Sequence, residues 1–527
     1  MTSITIDAKG RGTPLRHYWS NCVGAGRANE GLRANWQEQL RLATRSCGFR
    51  YLRFHGLFHD DMCIYNPREN GTVQYNWQYV DDLFDRMLDI GIRPFVELGF
   101  CPRDLATELG TVFWWKGHGA PPKDYRLWAE LVAAFARHCL ARYGADEVRR
   151  WYFEVWNEPN LDPFFRGTRS QYFELYAASA RALKDVDSEL RVGGPATSNF
   201  VPDARFDGEK EDVTRQTTWG VADLDALPWR GVWIEDFLRF CAQRGLPVDF
   251  VSTHPYPTDF ALDEKGVCRG RSRGVQSTFD DLRWIRRTVD SSPFPEAEIH
   301  LTEWSSSPSA RDFTHDYPQA AAYIVRTNLD SLGLVDSLSY WTFTDVFEEG
   351  AGGPTIFHGG FGLINFQGIV KPACHAYRLL ANLGNELLAQ GRGWAATRDA
   401  VDGRIAILVT HYPDEVKEAV PMCSTRQEAD AYLEKGNPDD TSIVAKGLAP
   451  GAVFEVETLD PEHGWAMRAW QEMGEPEPPT REQADYLQQA AMATAPSVVR
   501  ADAHGVLTVK RRLAPWGVLS LRQMGCD

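Results

Sequence analysis

The sequence has no long apolar run and no excess of positive charge. No stretch approaches the ~18 apolar residues of a membrane-spanning helix. The first residues, MTSITIDAKGRG, contain no apolar core of the kind found in secretory signals. The net charge of −16 argues against binding to nucleic acid or to an anionic membrane surface, since both require a basic face. We therefore expect a cytoplasmic protein with neither nucleic acid nor membrane as a partner.

Motifs for metal ions and nucleotide cofactors are also missing. The ten cysteines are scattered without a CxxC pair, and no histidines have HExxH spacing. We predict reduced, buried thiols, no metal site and no cofactor. The nearest approach to a dinucleotide-binding glycine motif, Val23–Ala28, lacks the third glycine.

Short β-rich runs alternate with longer amphipathic runs in eight rounds. The clearest helix is Tyr125–Arg142, in which Leu127, Leu131 and Phe135 share one face. This alternation favours an α/β fold with a closed (β/α)8 TIM barrel, and a doubly wound open sheet is the competing interpretation. The strand candidates, numbered in chain order, are His17–Val23, Tyr51–His55, Arg93–Leu98, Tyr152–Asn157, Arg191–Pro195, Phe250–Tyr256, Ile299–Trp304 and Ser337–Phe343. The other helix candidates are Trp77–Ile90, Gln171–Asp185, Ile234–Arg244, Gln319–Leu332 and Ala373–Leu388.

The pattern changes near residue 392, where alternating strands replace the strand–helix rounds. We predict a catalytic barrel over 14–392 and a smaller accessory β-sandwich domain formed by 1–13 and 393–527. Its strand candidates are Ile4–Ala8, Arg404–Tyr412, Gly505–Lys510 and Gly517–Arg522.

Polar and aromatic residues collect at the predicted carboxyl ends of the barrel strands, where barrels hold their active sites. Glu158 ends strand four and Glu303 ends strand seven. Their carboxylates can converge over the barrel mouth, and a retaining glycosidase holds such a pair about 5–5.5 Å apart. A surface or helix-capping role is the alternative for either residue.

Neighbouring residues predict different roles for the two glutamates. Arg53 and His55 share parity on strand two, so both can point into the barrel. If a buried Arg53 pairs with Glu303, we expect the pKa of Glu303 to fall, which keeps it ionised as a nucleophile requires. Apolar surroundings near Trp156 should raise the pKa of Glu158 and suit a general acid.

Other strand-end residues are candidates for binding or support. The Trp341 ring can stack on a sugar face, and the Tyr256 hydroxyl can hold a carboxylate in place. Packed core roles are the alternatives for both. We interpret Glu97 as a structural hydrogen-bond acceptor. Of Glu348 and Glu349, at least one can receive sugar hydroxyls, while a solvated loop position is equally compatible with the other.

Six segments together resemble glycoside hydrolase family 39, and most closely its bacterial β-xylosidases, over residues 15–390. They are LRFHG at Leu52–Gly56, WYFEVWNEPNL at Trp151–Leu161, STHPY at Ser252–Tyr256, LTEW at Leu301–Trp304, YWTFTDVFEE at Tyr340–Glu349 and FHGGFGLI at Phe357–Ile364. The resemblance implies a (β/α)8 barrel plus a β-sandwich, with Glu158 as acid/base and Glu303 as nucleophile. It also implies xylose contacts from His55, Asn157, His254, Tyr256, Trp341 and one of Glu348 and Glu349.

The function implied by the resemblance is a retaining exo-β-1,4-xylosidase acting in xylan degradation. Such an enzyme removes terminal non-reducing xylose from short xylooligosaccharides by a two-glutamate double displacement. One alternative is another family 39 glycosidase, α-L-iduronidase-like or with arabinosidase side activity; the net charge of −16 disfavours an anionic substrate. A non-catalytic sugar-binding protein is a further alternative, which the presence of both glutamates disfavours.

Two segments depart from the family pattern. The polar insertion Asn199–Arg230 is expected to reshape the substrate rim. The acidic, proline-rich stretch Asp414–Pro479 is expected to alter subunit contacts, so the oligomeric state of relatives does not transfer.

Overall fold

A closed barrel of eight parallel strands forms the centre of the molecule. The structure is a computed structural model, which describes residues 2–202, 204–210, 218, 220–259 and 270–525. Each barrel strand pairs with the next, and the eighth pairs with the first. This closure confirms the predicted (β/α)8 fold and rules out the open doubly wound sheet. The barrel strands, numbered one to eight, are Cys22–Arg27, Tyr51–His55, Arg93–Leu98, Tyr152–Val155, Arg191–Ser198, Phe250–His254, Glu298–Trp304 and Ser337–Tyr340.

Strand one begins later than the predicted His17–Val23. Tyr18–Ser20 forms a 3₁₀ turn instead, and the strand starts at Cys22. The apolar run arises from packing, because Tyr18 is buried and its hydroxyl donates to the Asn328 carbonyl over 2.8 Å.

The predicted last helix, Ala373–Leu388, is wrong in its second half. The helix ends at Ala381, and Glu386–Gly391 is a strand. The chain turns between them at Gly384, where a Cβ would lie 2.3 Å from the Arg398 carbonyl carbon. Only glycine permits this close approach, which directs the chain into the accessory sheet.

Amphipathic helices surround the barrel. The helix Tyr125–Tyr143 begins where the Asp124 carboxylate accepts two backbone N–H groups, and it ends at Gly144. Two barrel helices absent from the predicted set, Ala34–Cys47 and Ser277–Asp290, follow strands one and six. The α-helices are Ala34–Cys47, Gln78–Ile90, Tyr125–Tyr143, Ala145–Val148, Arg169–Val186, Ile234–Arg244, Ser277–Asp290, Pro318–Asp330, Pro372–Ala381, Arg426–Leu433, Met467–Glu472 and Arg481–Ala491.

Two further sheets pack together as an accessory β-sandwich around a separate apolar core. The three-stranded sheet contains Thr2–Asp7, Asp439–Lys446 and Leu507–Leu513. The seven-stranded sheet contains Thr13–Pro14, Glu386–Gly391, Trp394–Arg398, Ile405–Thr410, Val518–Gln523, Val453–Leu459 and Ser497–Arg500. The predicted joining of the first strand to this domain is confirmed, since Thr2–Asp7 pairs in parallel with 441–446. The proposed division at 392 places residues 386–391 with the barrel, although they pair in the accessory sheet.

The acidic stretch Asp414–Pro479 folds back onto the chain's own barrel. Trp470 is buried, and its ring centroid lies 5.4 Å from that of Phe357. The Glu477 carboxylate accepts the Ile356 N–H over 3.0 Å. The stretch therefore supports the long loop that follows strand eight at the catalytic face.

The polar insertion predicted over Asn199–Arg230 lies partly outside the described residues. Its ends meet, because Phe200–Val201 pairs with Arg230–Gly231 in a short antiparallel ribbon. Short ribbons also join Tyr65–Pro67 to Val73–Tyr75 and Thr111–Val112 to Gly117–His118.

Two exclusions made from composition can be compared with the structure. Among the described residues, none of the helices has the length and apolar character required to cross a bilayer. The eight cysteines in the described ranges are free, and all of them except Cys63 are buried. The predicted thiols Cys268 and Cys526 lie outside the described residues.

Candidate active site

A buried guanidinium group organises the carboxyl ends of the barrel strands. Arg53 Nε donates to Glu154 Oε2 over 2.8 Å, and Nη2 lies 2.8 Å from Asn157 Oδ1 and 3.0 Å from Glu97 Oε2. The third nitrogen, Nη1, pairs with Glu303. Because Arg53 is fully buried and engaged on all sides, it holds residues of strands three, four and seven in fixed positions.

Strand alternation explains why these charges converge. Arg53 and His55 point inward as predicted, whereas Leu52 and Phe54 face the surrounding helices. Arg53 and the carboxylates around it form a charged layer, and below this layer aromatic rings close the barrel interior. This floor consists of Phe95, Tyr152, Phe250 and His300, whose ring centroids lie 4.5–5.4 Å apart. The charged groups therefore rest on an apolar base that keeps water away from them.

Glu303 accepts hydrogen bonds from two sides. Arg53 donates to Oε1, and the Tyr256 hydroxyl donates to Oε2 over 3.1 Å, which is the contact predicted for this tyrosine. The predicted fall in the pKa of Glu303 is wrong. Burial raises the pKa above its ordinary value, and the attraction of Arg53 only partly offsets that effect. The two donors still favour the ionised carboxylate over a neutral carboxyl at this position.

Glu158 lies in a strained turn after strand four. Its φ is 44° and that of Trp156 is 71°, a left-handed backbone that costs a non-glycine residue of order 1–3 kcal/mol. The Glu158 N–H donates to the Ala196 carbonyl over 2.9 Å, which fixes the turn against strand five. Burial raises the pKa of Glu158, in the predicted direction. Only 7% of the residue is exposed.

The two glutamates are close neighbours. An oxygen of each, together with a ring nitrogen of His254, all lie within 4.8 Å of one another. Inverting glycosidases separate their carboxyl groups by about 6.5–9.5 Å to admit a water molecule, whereas retaining enzymes hold them at about 5–5.5 Å. An approach within 4.8 Å is closer than the inverting arrangement requires and favours the retaining one.

The same three groups have the donor types of a divalent-cation site. Glu303, however, already accepts from Arg53 and Tyr256, and the adjacent guanidinium repels a cation. The His254 ring is likewise committed to protein partners. The hydrogen bonding therefore suits proton transfer at this cluster.

His254 is enclosed by protein on both sides of its ring. Nδ1 lies 2.9 Å from Glu158 Oε1, and Nε2 lies 3.1 Å from the Thr302 hydroxyl. The residue has no exposed surface. Burial lowers its pKa to about 4, so the ring is neutral near neutral pH. Both ring nitrogens of His254, which is predicted to contact the sugar, are therefore already engaged by protein groups.

His55 bridges two carboxylates on the other side of the pocket. Nδ1 lies 2.6 Å from Glu97 Oε2, and Nε2 lies 3.4 Å from Glu349 Oε1. Burial alone would lower the pKa of His55, but Glu97 and Glu349 raise it to about 10, so the ring is a cation. Glu97 acts as the structural acceptor that the sequence predicts.

The structure distinguishes Glu348 from Glu349. Glu348 pairs with Arg27 over 2.8 Å and with Arg33 over 2.6 Å, away from the catalytic carboxylates. Glu349 lies beside His55, and burial raises its pKa. Glu349 is therefore the member of the pair that joins the pocket, and Glu348 stabilises its rim.

Trp341 lies against the charged layer. Its ring centroid is 4.8 Å from that of His55, and a Cβ on Gly24 would lie 2.4 Å from the indole. Glycine at position 24 therefore leaves the space that the indole occupies. Asn157, which follows strand four, accepts from Arg53 through its amide oxygen.

The sequence patterns indicate no role for three residues of the pocket. Glu154 points into the barrel, as Tyr152 does on the same strand. Its signal in the sequence is that it is a charged residue in an otherwise apolar strand. Thr302 precedes Glu303 and donates to Glu154 over 2.8 Å, a contact that the sequence pattern does not encode. Phe113 stacks on His55, with the two ring centroids 5.7 Å apart. Phe113 has a positive φ in the loop after strand three, and no sequence motif indicates its position.

Comparisons with known proteins agree with this geometry. Residues 2–208 and 228–508 match the sequence model of the glycosyl hydrolases family 39. A beta-xylosidase of Caldicellulosiruptor saccharolyticus is 35% identical, over 99% of this chain and 95% of the relative. A beta-xylosidase of Geobacillus stearothermophilus is 36% identical, over 93% and 89% of the two chains. The crystal structure of a monomeric beta-xylosidase from Caulobacter crescentus CB15 superposes with a TM-score of 0.84 at 33% identity, covering 100% of both chains.

Proposed function

The chain belongs to glycoside hydrolase family 39, and from that premise we propose that it is a retaining exo-β-1,4-xylosidase. In this proposal it removes terminal non-reducing xylose from short xylooligosaccharides. The observation that carries the proposal is the pair of buried carboxyls, Glu158 and Glu303, held within 4.8 Å at the mouth of the barrel. The names of the two relatives at 35% and 36% identity support the choice of sugar.

In the first step, Glu303 attacks the anomeric carbon as that carbon loses its bond to the leaving oxygen. Glu158 gives its proton to the leaving oxygen, so no free alkoxide forms. Arg53 and Tyr256 hold the Glu303 carboxylate in the ionised form needed for the attack. The product is a glycosyl ester on Glu303.

In the second step, the Glu158 carboxylate removes a proton from water as the water oxygen attacks the anomeric carbon. The ester bond breaks, and Glu303 regains its negative charge. Burial of Glu158 favours its protonated form, which restores the acid for the next cycle. Two inversions leave the anomeric configuration unchanged.

The charge of the pocket supports a neutral substrate. Five carboxyl groups surround it, and the cations that face them are Arg53 and His55. Both cations are already paired with carboxylates. A uronic acid or a sulfated sugar would add a negative charge beside these carboxyl groups, while Arg53 and His55 are already paired, which disfavours the iduronidase alternative.

The test is hydrolysis of 4-nitrophenyl β-D-xyloside by the wild type, Glu158→Ala and Glu303→Ala. General acid catalysis is worth about 10²–10⁴ in rate, and loss of the nucleophile should lower the rate by at least as much. Azide should partly restore Glu158→Ala with a good leaving group, because it attacks the glycosyl-enzyme without a general base. Proton NMR of the first-formed product should show the β anomer of xylose.

Glu457→Ala is the matched control, since Glu457 pairs with Arg378 away from the pocket. Its activity should stay near that of the wild type. Aryl α-L-arabinofuranoside, α-L-iduronide and β-D-glucoside complete the panel. Preferred turnover of one of these would replace xylose as the substrate. A folded wild type that cleaves none of them and binds xylose would favour the sugar-binding alternative.

A further inference from the structure

We propose that Glu154 and Thr302 fix His254 as the tautomer protonated at Nε2, so that its Nδ1 accepts a hydrogen bond from the carboxyl group of Glu158 and keeps that acid protonated. Glu154 and Thr302 are then positioning residues that act through the histidine ring. The inference rests on the proposed role of Glu158 as acid/base.

The direction of each hydrogen bond follows from the charge on Glu154. Its Oε2 accepts from Arg53 over 2.8 Å, and its Oε1 lies 2.8 Å from the Thr302 hydroxyl. Burial would raise the pKa of Glu154, but the charge of Arg53, acting together with neighbouring groups and hydrogen bonds such as that from Thr302, lowers it. An ionised carboxylate can only accept, so the single proton of Thr302 points to Glu154.

The Thr302 oxygen is then left as an acceptor for the histidine. His254 Nε2 lies 3.1 Å away and must carry the hydrogen. A neutral imidazole has one N–H, so Nδ1 has only a lone pair to offer. Nδ1 lies 2.9 Å from Glu158 Oε1, and two acceptors at that distance repel one another. The contact is a hydrogen bond when Glu158 carries the proton.

A doubly protonated His254 beside an ionised Glu158 is the competing state. The ring has no exposed surface, and two cations face it, both of which oppose a further positive charge. The charged and titratable groups that face His254 and Glu158 are Arg53 and His55 of strand two, Glu97 of strand three, Glu154 of strand four, Tyr256 after strand six, Glu303 of strand seven and Glu349 after strand eight. The carboxylates among them are already paired with Arg53 or His55.

The fixed tautomer serves both steps of the reaction. Before the first step it holds the acidic proton on the oxygen of Glu158 that faces Nδ1. After that proton has left, the lone pair of Nδ1 faces a carboxylate and destabilises it. Glu158 then takes a proton from water more readily, which is the task of the base in the second step.

The kinetic test compares Thr302→Val with Thr302→Ser. The valine removes the acceptor for Nε2, so the ring can place its hydrogen on Nδ1 and donate to an ionised Glu158. The basic limb of the kcat/KM profile, which reports Glu158, should move to lower pH by about one unit or more. The serine keeps the hydroxyl and should return the limb to the wild-type position.

Thr253→Val is the matched control. Thr253 is equally buried, but its hydroxyl donates to the Thr197 carbonyl over 2.6 Å on the neighbouring strand. Its basic limb should not move. A Thr302→Val enzyme that loses rate while its basic limb stays at the wild-type pH would overturn the proposal, because a purely structural role predicts that result.

A direct measurement separates this inference from the proposed function. Nitrogen-15 NMR of histidine-labelled enzyme distinguishes the two tautomers without substrate, and His254→Gln assigns the signal. We expect the Nε2–H pattern in the wild type; the Nδ1–H or doubly protonated pattern at neutral pH would refute the inference. Failure to hydrolyse any xyloside would refute the proposed function. The tautomer assignment would still be tested by the NMR spectrum, which needs no substrate.

Discussion

The Tyr256→Phe substitution removes one hydrogen bond to the proposed nucleophile, Glu303, and keeps the aromatic ring. In the wild type that hydroxyl donates to Glu303 Oε2 over 3.1 Å, while Arg53 holds the other oxygen. Glu303 must be ionised to attack, so activity falls as the pH drops through its pKa. Burial already raises that pKa, and loss of a donor to the carboxylate will raise it further.

The size of the shift follows from the strength of the lost contact. A hydrogen bond to a charged group is worth about 1.5–3 kcal/mol, and one pKa unit corresponds to about 1.36 kcal/mol. The acid limb of kcat/KM should therefore move upward by about 1–2 pH units. Below the limb, kcat/KM should fall by about 10–100-fold. Above it the loss should be smaller, because the carboxylate gives up its charge during the attack.

The assay is the pH profile of aryl xyloside hydrolysis by wild type and variant. Tyr323→Phe is the control, since Tyr323 is also buried and its hydroxyl lies 2.8 Å from Thr278 on the outer helices. Its profile should coincide with that of the wild type. An acid limb that stays in place in Tyr256→Phe would refute the view that this hydroxyl stabilises the ionised nucleophile.

Four further substitutions test the pocket. Arg53→Met leaves buried carboxylates without their partner, so unfolding should become easier by at least ~3–5 kcal/mol; an unchanged melting temperature would contradict this. Glu349→Gln should lower kcat/KM by about tenfold or more, because a hydrogen bond to a charged group is worth about 1.5–3 kcal/mol. Glu348→Gln should mainly lower the melting temperature, and the reverse order would show that Glu348 joins the pocket. Gly24→Ala forces Trp341 away from its position, so xylose should inhibit more weakly as a competitor; equal inhibition would show that the indole does not contact the sugar.

The sequence was sufficient to predict the framework because its signals are local and periodic. Strand two and strand three begin and end where the patterns place them, at Tyr51–His55 and Arg93–Leu98. Once eight rounds are recognised, barrel closure itself brings Glu158 and Glu303 together, since both follow strands whose carboxyl ends meet at one rim. The family comparison confirms the resemblance carried by the strand-end motifs.

The electrostatics of the pocket could not be predicted in this way. The pKa of Glu303 depends on the balance between burial and Arg53, and the strand pattern gives the contact without the depth of burial. The ion-pair partners of Glu348 are Arg27 and Arg33, which lie more than 300 positions earlier in the chain. The Thr302 contact depends on side-chain rotation at a single residue. The pKa of Glu303 and both sets of contacts depend on tertiary packing, which produces no periodic pattern in the sequence.

The pairing of Thr2–Asp7 with residues 441–446 has a consequence for the order of folding during synthesis. The strand leaves the ribosome well before its partner, which is made more than 430 residues later. At about 5–20 residues per second, the strand waits for roughly 20–90 s. The barrel strands are complete by Tyr340, so the barrel can close during that wait while the apolar residues of the first strand stay unpaired. A nascent chain stalled before residue 439 should therefore expose this strand to proteases and chaperones, and release of the full chain should protect it.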